Sequence, residues 1–237
     1  MSAPVRTSAP VAGPLWDVVV EQRGWHLRIR QLPLAACNNT RLLQELRAFR
    51  AEILYAGGRR PEFRNPAGQY VDAQLLDFGA YHITAHATPT APPSGYIRLV
   101  PPALNSQFQT RDLLGPDRLA ALLDLHRMSE DGVYEPSRLV VAEWARGLGL
   151  GAVLNAGAIA TARALGAAGI VAICGMDDGQ HRFHQRFGYR VCAGTEHYST
   201  HYQDHVCAIV HPVDGPGEEY ADLIDQLHGC IGSAAGQ

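Results

Sequence analysis

Residues 141–170 read "VAEWARGLGLGAVLNAGAIATARALGAAGI", and the fold turns on what its glycines do. Upstream, "YEPSRLVVAEW" (134–144) has strand character. Downstream, alanines and apolar residues at helical spacing predict a helix to about Leu165, followed by a buried strand, "GIVAICG" (169–175). Between strand and helix, Arg146, Gly149 and Gly151 fit R-x-x-G-x-G. A helix N-terminus carries unpaired amides and partial positive charge, and glycines let backbone approach an anion closely. The stretch therefore reads either as a glycine-rich corner or as a phosphate cradle. It is not a P-loop, which needs Lys then Ser or Thr, and Leu154 breaks the dinucleotide fingerprint G-x-G-x-x-G.

Outward from the loop, the order is mixed α/β. "GQHRFHQRFG" (179–188) predicts a short helix, and "YRVCAGTEHYS" and "HVCAIVHPV" two final strands. "GEEYADLIDQLHGCIG" (217–232) predicts a C-terminal helix. In the other direction, "WHLRIRQLPL" (25–34) alternates as a strand, and "NNTRLLQELRAFRAEILYAGG" (38–58) is a helix opening on Asn and Thr caps and closing on glycines. A polar, Arg-rich loop follows. "YHITAHA" and "SGYIRLVPP" then form a hairpin, and residues 103–133 are mostly loop around one short helix, "GPDRLAALLDLHRM". No internal repeat and no boundary appears inside 25–212. The expected organisation is a flexible tail over 1–24 and a single domain over 25–237.

The 237 residues are 46% hydrophobic, enough for a proper core. A net charge of -3 gives no general attraction to nucleic acid or an anionic membrane, and no apolar run approaches the ~20 residues of a membrane span. The N-terminus lacks the apolar core of a signal peptide. Five scattered cysteines without a C-x-x-C pair argue against a disulfide framework or a zinc site and suit a reducing cytoplasm. All 20 basic residues are Arg; a GC-rich genome explains this, as does an enzyme that handles reactive acyl groups and avoids surface amines.

The loop resembles the pyrophosphate-binding signature of the GNAT acyltransferase superfamily. The succeeding "RFHQRFGYRV", ending on Gly188 and Tyr189, is similar to that family's aromatic-Tyr-x-x-x-Gly-Phe segment. The resemblance implies a mixed central sheet of about six to seven strands flanked by helices. It also implies that pantetheine lies in a splay between "SRLVVAEW" and "GIVAICG". The donor-binding residues would be Val141, Ala142, Arg146, Gly147, Gly149, Gly151 and Ala152, with an amide near Val141 or Ala142 facing the thioester oxygen. His184 stands where many members place a Tyr as general acid for the departing thiolate.

Residues 40–195 further resemble acyl-homoserine-lactone (autoinducer) synthases and the related N-acyl amino acid synthases. "ELRAFRAEIL" looks like their Arg-containing first helix, "DAQLLDFGAYHI" with "GYIRLVPP" like their Asp-rich second and Arg-bearing third strands, and "YEPSRLVV" like their Glu-x-Ser-Arg-Phe strand. Their Trp after the first helix is absent, with "LYAGGRR" in its place, and their paired Asp residues are closer together than Asp72 and Asp77. Those departures favour the N-acyl amino acid synthase side over a lactone-making enzyme.

Amide formation from a thioester needs a neutral amine, a stabilised oxyanion and a protonated thiolate. Glu135 is the first candidate base, His82 and Glu143 the others. In a regular strand, Glu135, Ser137, Leu139, Val141 and Glu143 share one face and Arg138 points to the other. Arg138 then either serves the substrate or bridges to Asp72 or Asp77, and Arg50 and Arg98 are further substrate-binding or pairing candidates. The donor implied is acyl-CoA or an acyl-phosphopantetheine on acyl carrier protein, an acidic partner that Arg47, Arg50, Arg59, Arg60 and Arg64 could steer. The acceptor is an amino acid or related amine. Alternatives are a peptide acceptor, a short-chain acetyltransferase, and a non-catalytic thioester-binding module. His197, His201 and His205 straddle a strand end and a loop, so no metal is expected.

Overall fold

The computed structural model describes residues 16–32, 40–58, 60–213, 215 and 219–235. Strands β1 (Trp16–Gln22) and β2 (Trp25–Gln31) form a hairpin, followed by α1 (Thr40–Ala56), β3 (Tyr81–His86) and β4 (Pro93–Val100). Helices α2 (Gln109–Leu114) and α3 (Pro116–Leu125) lead to β5 (Val133–Val141), α4 (Leu150–Ala164), β6 (Gly169–Gly175) and α5 (Gln180–Gln185). Short strands β7 (Arg190–Val191) and β8 (His197–Ser199), then β9 (Asp204–Pro212) and α6 (Ala221–Ala235), complete the chain. The sheet runs β1-β2-β3-β4-β5-β6-β9-β7, with β8 also on β9, and only β5·β6 is parallel.

This is the mixed sheet flanked by helices that the sequence predicts, with nine strands among the described residues rather than six or seven. Two causes account for the difference. The segment assigned to the flexible tail contains β1, whose Val18 and Val20 turn inward while Asp17, Val19 and Glu21 face out. At the other end, β7 and β8 are separate short strands sharing one edge of β9. The single helix expected in 103–133 is two, α2 and α3, divided at Gly115, whose φ of 77° suits glycine. The Asn caps expected for α1 and Cys37 lie outside the described residues.

Strand alternation sorts the sheet into two faces. On one, Leu27, Ile29, Ile83, Ile97 and Leu99 meet α4 and α6. Helix α4 is buried continuously from Ala152 to Ala162, on every side, as its Ala-rich sequence allows. It sits close to β4 because position 95 is glycine: a Cβ there would lie 2.7 Å from the Leu154 side chain. Each fully buried Leu or Ile of this layer contributes about 1.5–3 kcal/mol. On the opposite face, His82, Tyr96 and Arg98 point toward α1, while Val100, Val133, Val171 and Val210 meet α2 and α3. No helix among the described residues is long and apolar enough to cross a membrane.

Candidate active site

Strands β5 and β6 pair only at Val133–Gly169 and Tyr134–Ile170, then part. The cause lies in β5. Pro136, two residues past Tyr134, has no N–H to offer β6. A bulge follows: Ser137 pairs with Arg98 and Val140 with Tyr96, so Arg138 and Leu139 together oppose Ile97. Arg138 adopts φ 60°, a left-handed conformation uncommon outside glycine. The parted strands bound a cavity of about 260 Å³, lined by Glu135–Leu139 of β5, Ala172–Gly175 of β6, and Phe183 and His184 of α5. Arg60, Gln109, Tyr202 and Asp204 also stand on its walls.

The glycine loop closes the far end of β5. Ala142 N–H donates to the Ser94 carbonyl at 2.9 Å, which ties it into the β4–β5 ladder. Antiparallel alternation then turns the Val141 N–H to the other edge, where β6 has moved away. Val141, rather than Ala142, is the residue whose amide is directed at the splay. Gly147 and Gly149 have φ of 79° and 78°, and a Cβ on either would meet nothing within 4 Å. Gly149 is the N-terminal cap of α4 and Gly151 and Ala152 lie in its first turn. Ala152 N–H already donates to the Gly149 carbonyl at 3.0 Å, so Gly147, Gly149 and Gly151 are the predicted positions whose amides have no backbone partner among the described residues at the positive end of this helix. Arg146 is exposed beside them, its Nε 3.4 Å from the Val141 carbonyl. Glu143 is exposed and off the cavity wall.

Behind the cavity lies a buried ion network. Arg50 donates through Nε to Asp72 at 2.6 Å and through both Nη atoms to Asp77 at 2.6 and 2.9 Å. Arg98 joins Asp77 at 2.8 Å and also donates to the Ser137 hydroxyl. Arg47 reaches Asp77 at 2.7 Å, and Arg138 reaches Asp72 at 2.8 Å. The guanidiniums hold the Asp77 carboxyl well below the usual carboxylate range despite its burial. Asp72 and Asp77 thus brace the Arg138 bulge and the loop that carries them against α1.

The other three candidate catalytic groups separate. Glu135 is buried on the cavity wall and accepts three bonds from the start of α2: Gln109 N–H at 2.9 Å, Thr110 N–H at 2.8 Å and Thr110 O–H at 2.7 Å. It caps that helix, and burial pushes its carboxyl up while the donors oppose the shift. A carboxylate has about four lone-pair sites, so one remains, on Oε1. His184 also lines the cavity; its Nδ1 is sealed without a partner among the described residues, and burial lowers its pKa to about 4. His82 does not reach the cavity. Its Nε2–H can only donate to the Asp77 carbonyl, at 2.9 Å, so Nδ1 accepts from the Tyr96 hydroxyl, also at 2.9 Å. That position is a locked core histidine rather than a base facing a substrate.

Searches for relatives locate this arrangement among solved structures. No family model matches the sequence, and no curated protein matches it. The structure of "a COA-dependent acyl-homoserine lactone synthase, BjaI, with SAM and isopentyl-CoA" matches with a TM-score of 0.56 at 18% identity, covering 92% of this chain and 90% of that one. The chain has the acyl-homoserine lactone synthase fold. LasI, another such synthase, matches with a TM-score of 0.57 at 13% identity over 83% of this chain and 93% of its own. An acyl-CoA N-acyltransferase from Pseudomonas aeruginosa matches with a TM-score of 0.50 at 16% identity over 79% and 97%.

Within this synthase-like fold, sequence reasoning missed the far wall of the cavity. Arg60 looks like part of a solvated, carrier-steering patch, yet it is only 4% exposed. Arg50 is fully buried, Arg47 is committed to Asp77, and Arg59 lies outside the described residues. Of the described members of that set, Arg64 alone is exposed, lying over Tyr55 and Tyr70. Tyr202, from the loop before β9, also went unremarked; a Tyr in "STHYQDH" carries no signal of its own. Among the described residues no group of three or more His, Cys, Asp or Glu could hold a metal ion. His205 instead pairs with Asp177 at 3.0 Å, and His197 with the Thr195 carbonyl.

Burial of histidines sets an acid sensitivity. His82 and His211, both buried, have pKa values lowered by burial to about 4, against 6.5 when unfolded. Between these values the unfolded chain binds more protons, so stability rises with pH there and falls as pH drops from about 6.5 toward 4. At about 1.4 kcal/mol per pH unit, each of the two removes up to about 3 kcal/mol by pH 4. Denaturant titrations between pH 7 and 4 are expected to show that loss, and a flat stability over the range would contradict it.

Proposed function

We propose that the chain is an N-acyltransferase that moves an acyl group from acyl-CoA to the amine of an amino acid or related small molecule. The observation that carries the reading is the splay between β5 and β6, with the Val141 N–H directed into it and an open glycine loop at the N-terminus of α4. A thioester laid in the splay would place its carbonyl against that N–H, a donor oriented before charge develops. The loop amides and Arg146 would receive the pyrophosphate. The isopentyl-CoA named with BjaI supports a CoA donor in this fold.

Glu135 is the proton acceptor for the attacking amine in this reading, through its remaining lone pair and directly or through one water. His184 is neutral near pH 7, so it acts as a hydrogen-bond donor to the departing sulfur rather than as an imidazolium acid. The hydrogen bond lets the sulfur leave as thiolate, which, with a conjugate acid of pKa near 8.5, takes its proton from water at neutral pH while Glu135 returns the amine proton to solvent. Purified protein is expected to release free CoA thiol from acyl-CoA only when an amine is present. No thiol release across donors of two to sixteen carbons and a broad amine panel would overturn the reading.

A further inference from the structure

We propose that Arg60, with Arg138 and Tyr202, forms a subsite for an anionic group on the acceptor, so that the acceptor is an amine bearing a free carboxylate. This rests on the acyltransferase reading of the cavity. Arg60 and Arg138 both line the cavity wall, and both are largely withdrawn from water, Arg60 at 4% and the Arg138 side chain at 7% exposure.

Among the described residues, Arg60 has no buried carboxylate as its partner. The other buried arginines, Arg50, Arg98 and Arg138, pair with Asp72 and Asp77, and the buried carboxylates on the cavity wall, Glu135 and Asp204, accept from the start of α2 and from the Asp177 N–H. Asp72 serves Arg50 and Arg138. The carboxylate near Arg60 is Glu62, at 3.9 Å, which is half-exposed. Asp204 sits against Gly175. Buried charge without a counter-charge is costly, and an anion entering from the cavity removes that cost.

The geometry is that of a held guanidinium. Arg60 donates through Nη1 to the His201 carbonyl, and its charge centre sits 4.6 Å from the centre of the Tyr202 ring. The Tyr202 hydroxyl is fixed by donating to Gln109 at 2.7 Å. A guanidinium has five N–H donors in a planar fork that matches a carboxylate, and the His201 carbonyl uses one of them. Arg138 is held from behind by Asp72 and by the ring of Phe63.

The test compares N-dodecanoyl amino acids with their carboxamides by titration calorimetry, alongside thiol release with free amino acids and amino acid amides. The wild type is expected to bind the acid forms about 30-fold more tightly, the scale of a hydrogen bond between charged groups. Arg60→Gln is expected to abolish the preference and Arg60→Lys to keep part of it, with the KM for acyl-CoA within twofold. Equal binding of acid and amide by the wild type, no binding of either, or a preference that survives Arg60→Gln overturns the subsite. If thiol release fails with every amine while the calorimetric preference holds, the acyltransferase reading falls and the anion subsite stands.

Discussion

Asp77→Ala is expected to destabilise the protein by about 3–5 kcal/mol, the cost of breaking a buried ion pair by removing one partner. Its carboxylate is fully buried and accepts from Arg47, Arg50 and Arg98 and from the Gln74 N–H. Without it, the remaining Asp72 carboxylate cannot serve Arg50, Arg98 and Arg138 together. Since domains carry only about 5–15 kcal/mol, this is a large part of the total. In a chain of this size it lowers Tm by roughly 6–20 °C. Asp77→Asn keeps the shape and loses the charge, so most of the loss is expected there as well. The pH dependence has a definite sign. The folded carboxyl is held below its unfolded value, so the stabilisation is full above about pH 4 and disappears as pH falls through the depressed value. Thermal melts of both variants at pH 7 provide the measurement. A loss below about 1 kcal/mol in Asp77→Ala would show that the network is dispensable.

That network also shows where the sequence stops being legible. The glycine loop could be read because Gly147 and Gly149 occupy φ of 79° and 78°, which few other residues adopt, so the chemistry leaves a mark in residue type. Helix α4 and strand β6 could be read because their burial leaves a continuous apolar pattern. The bulge at Arg138 left no such mark. An arginine in the left-handed region is stabilised by Asp72, 66 residues away in sequence, and no local pattern announces it. As a result, the regular alternation expected from Glu135 to Glu143 fails: Ser137, Arg138 and Leu139 all border the cavity, and Glu143 leaves it. Arg60 was hidden for a related reason. In "GGRRPEFRNP" it has the composition of a solvated loop, and it is tertiary contacts with His201 and Tyr202 that bury it. The strand β1 is a different case. Its alternating "WDVVVEQ" was present in the sequence, but its Pro- and Ala-rich approach suggested a tail.

Gly149→Asp is expected to raise the KM for acyl-CoA roughly 100-fold, and the comparison with Gly149→Asn isolates why. Gly149 has φ 78° and ψ 1°, squarely left-handed, and the space over it is open. Among L-residues, Asp and Asn tolerate this region best, so both variants keep the backbone at a cost of about 1 kcal/mol. Both add the same bulk where the loop amides face solvent. Only Asp adds a negative charge at the α4 N-terminus, where the proposed donor places its pyrophosphate. Two like charges about 5 Å apart in an environment of intermediate dielectric repel by about 1–2 kcal/mol, and the pyrophosphate carries two of them, which sets the scale at about 100-fold. Gly149→Asn lacks that repulsion, so its KM is expected to rise by about tenfold or less. The discriminating donor is acyl-pantetheine, which has the thioester arm and no pyrophosphate. With it the two variants are expected to behave alike, because nothing remains for the added charge to repel. Raising ionic strength with acyl-CoA should narrow the Asp–Asn gap, since the loop is exposed and salt screens it. If Asp and Asn raise KM equally with acyl-CoA, the loop is a glycine-rich corner and the phosphate must be held elsewhere. If the gap persists with acyl-pantetheine, the charge acts on the thioester end, and Arg146 and the α4 amides lose their assigned ligand.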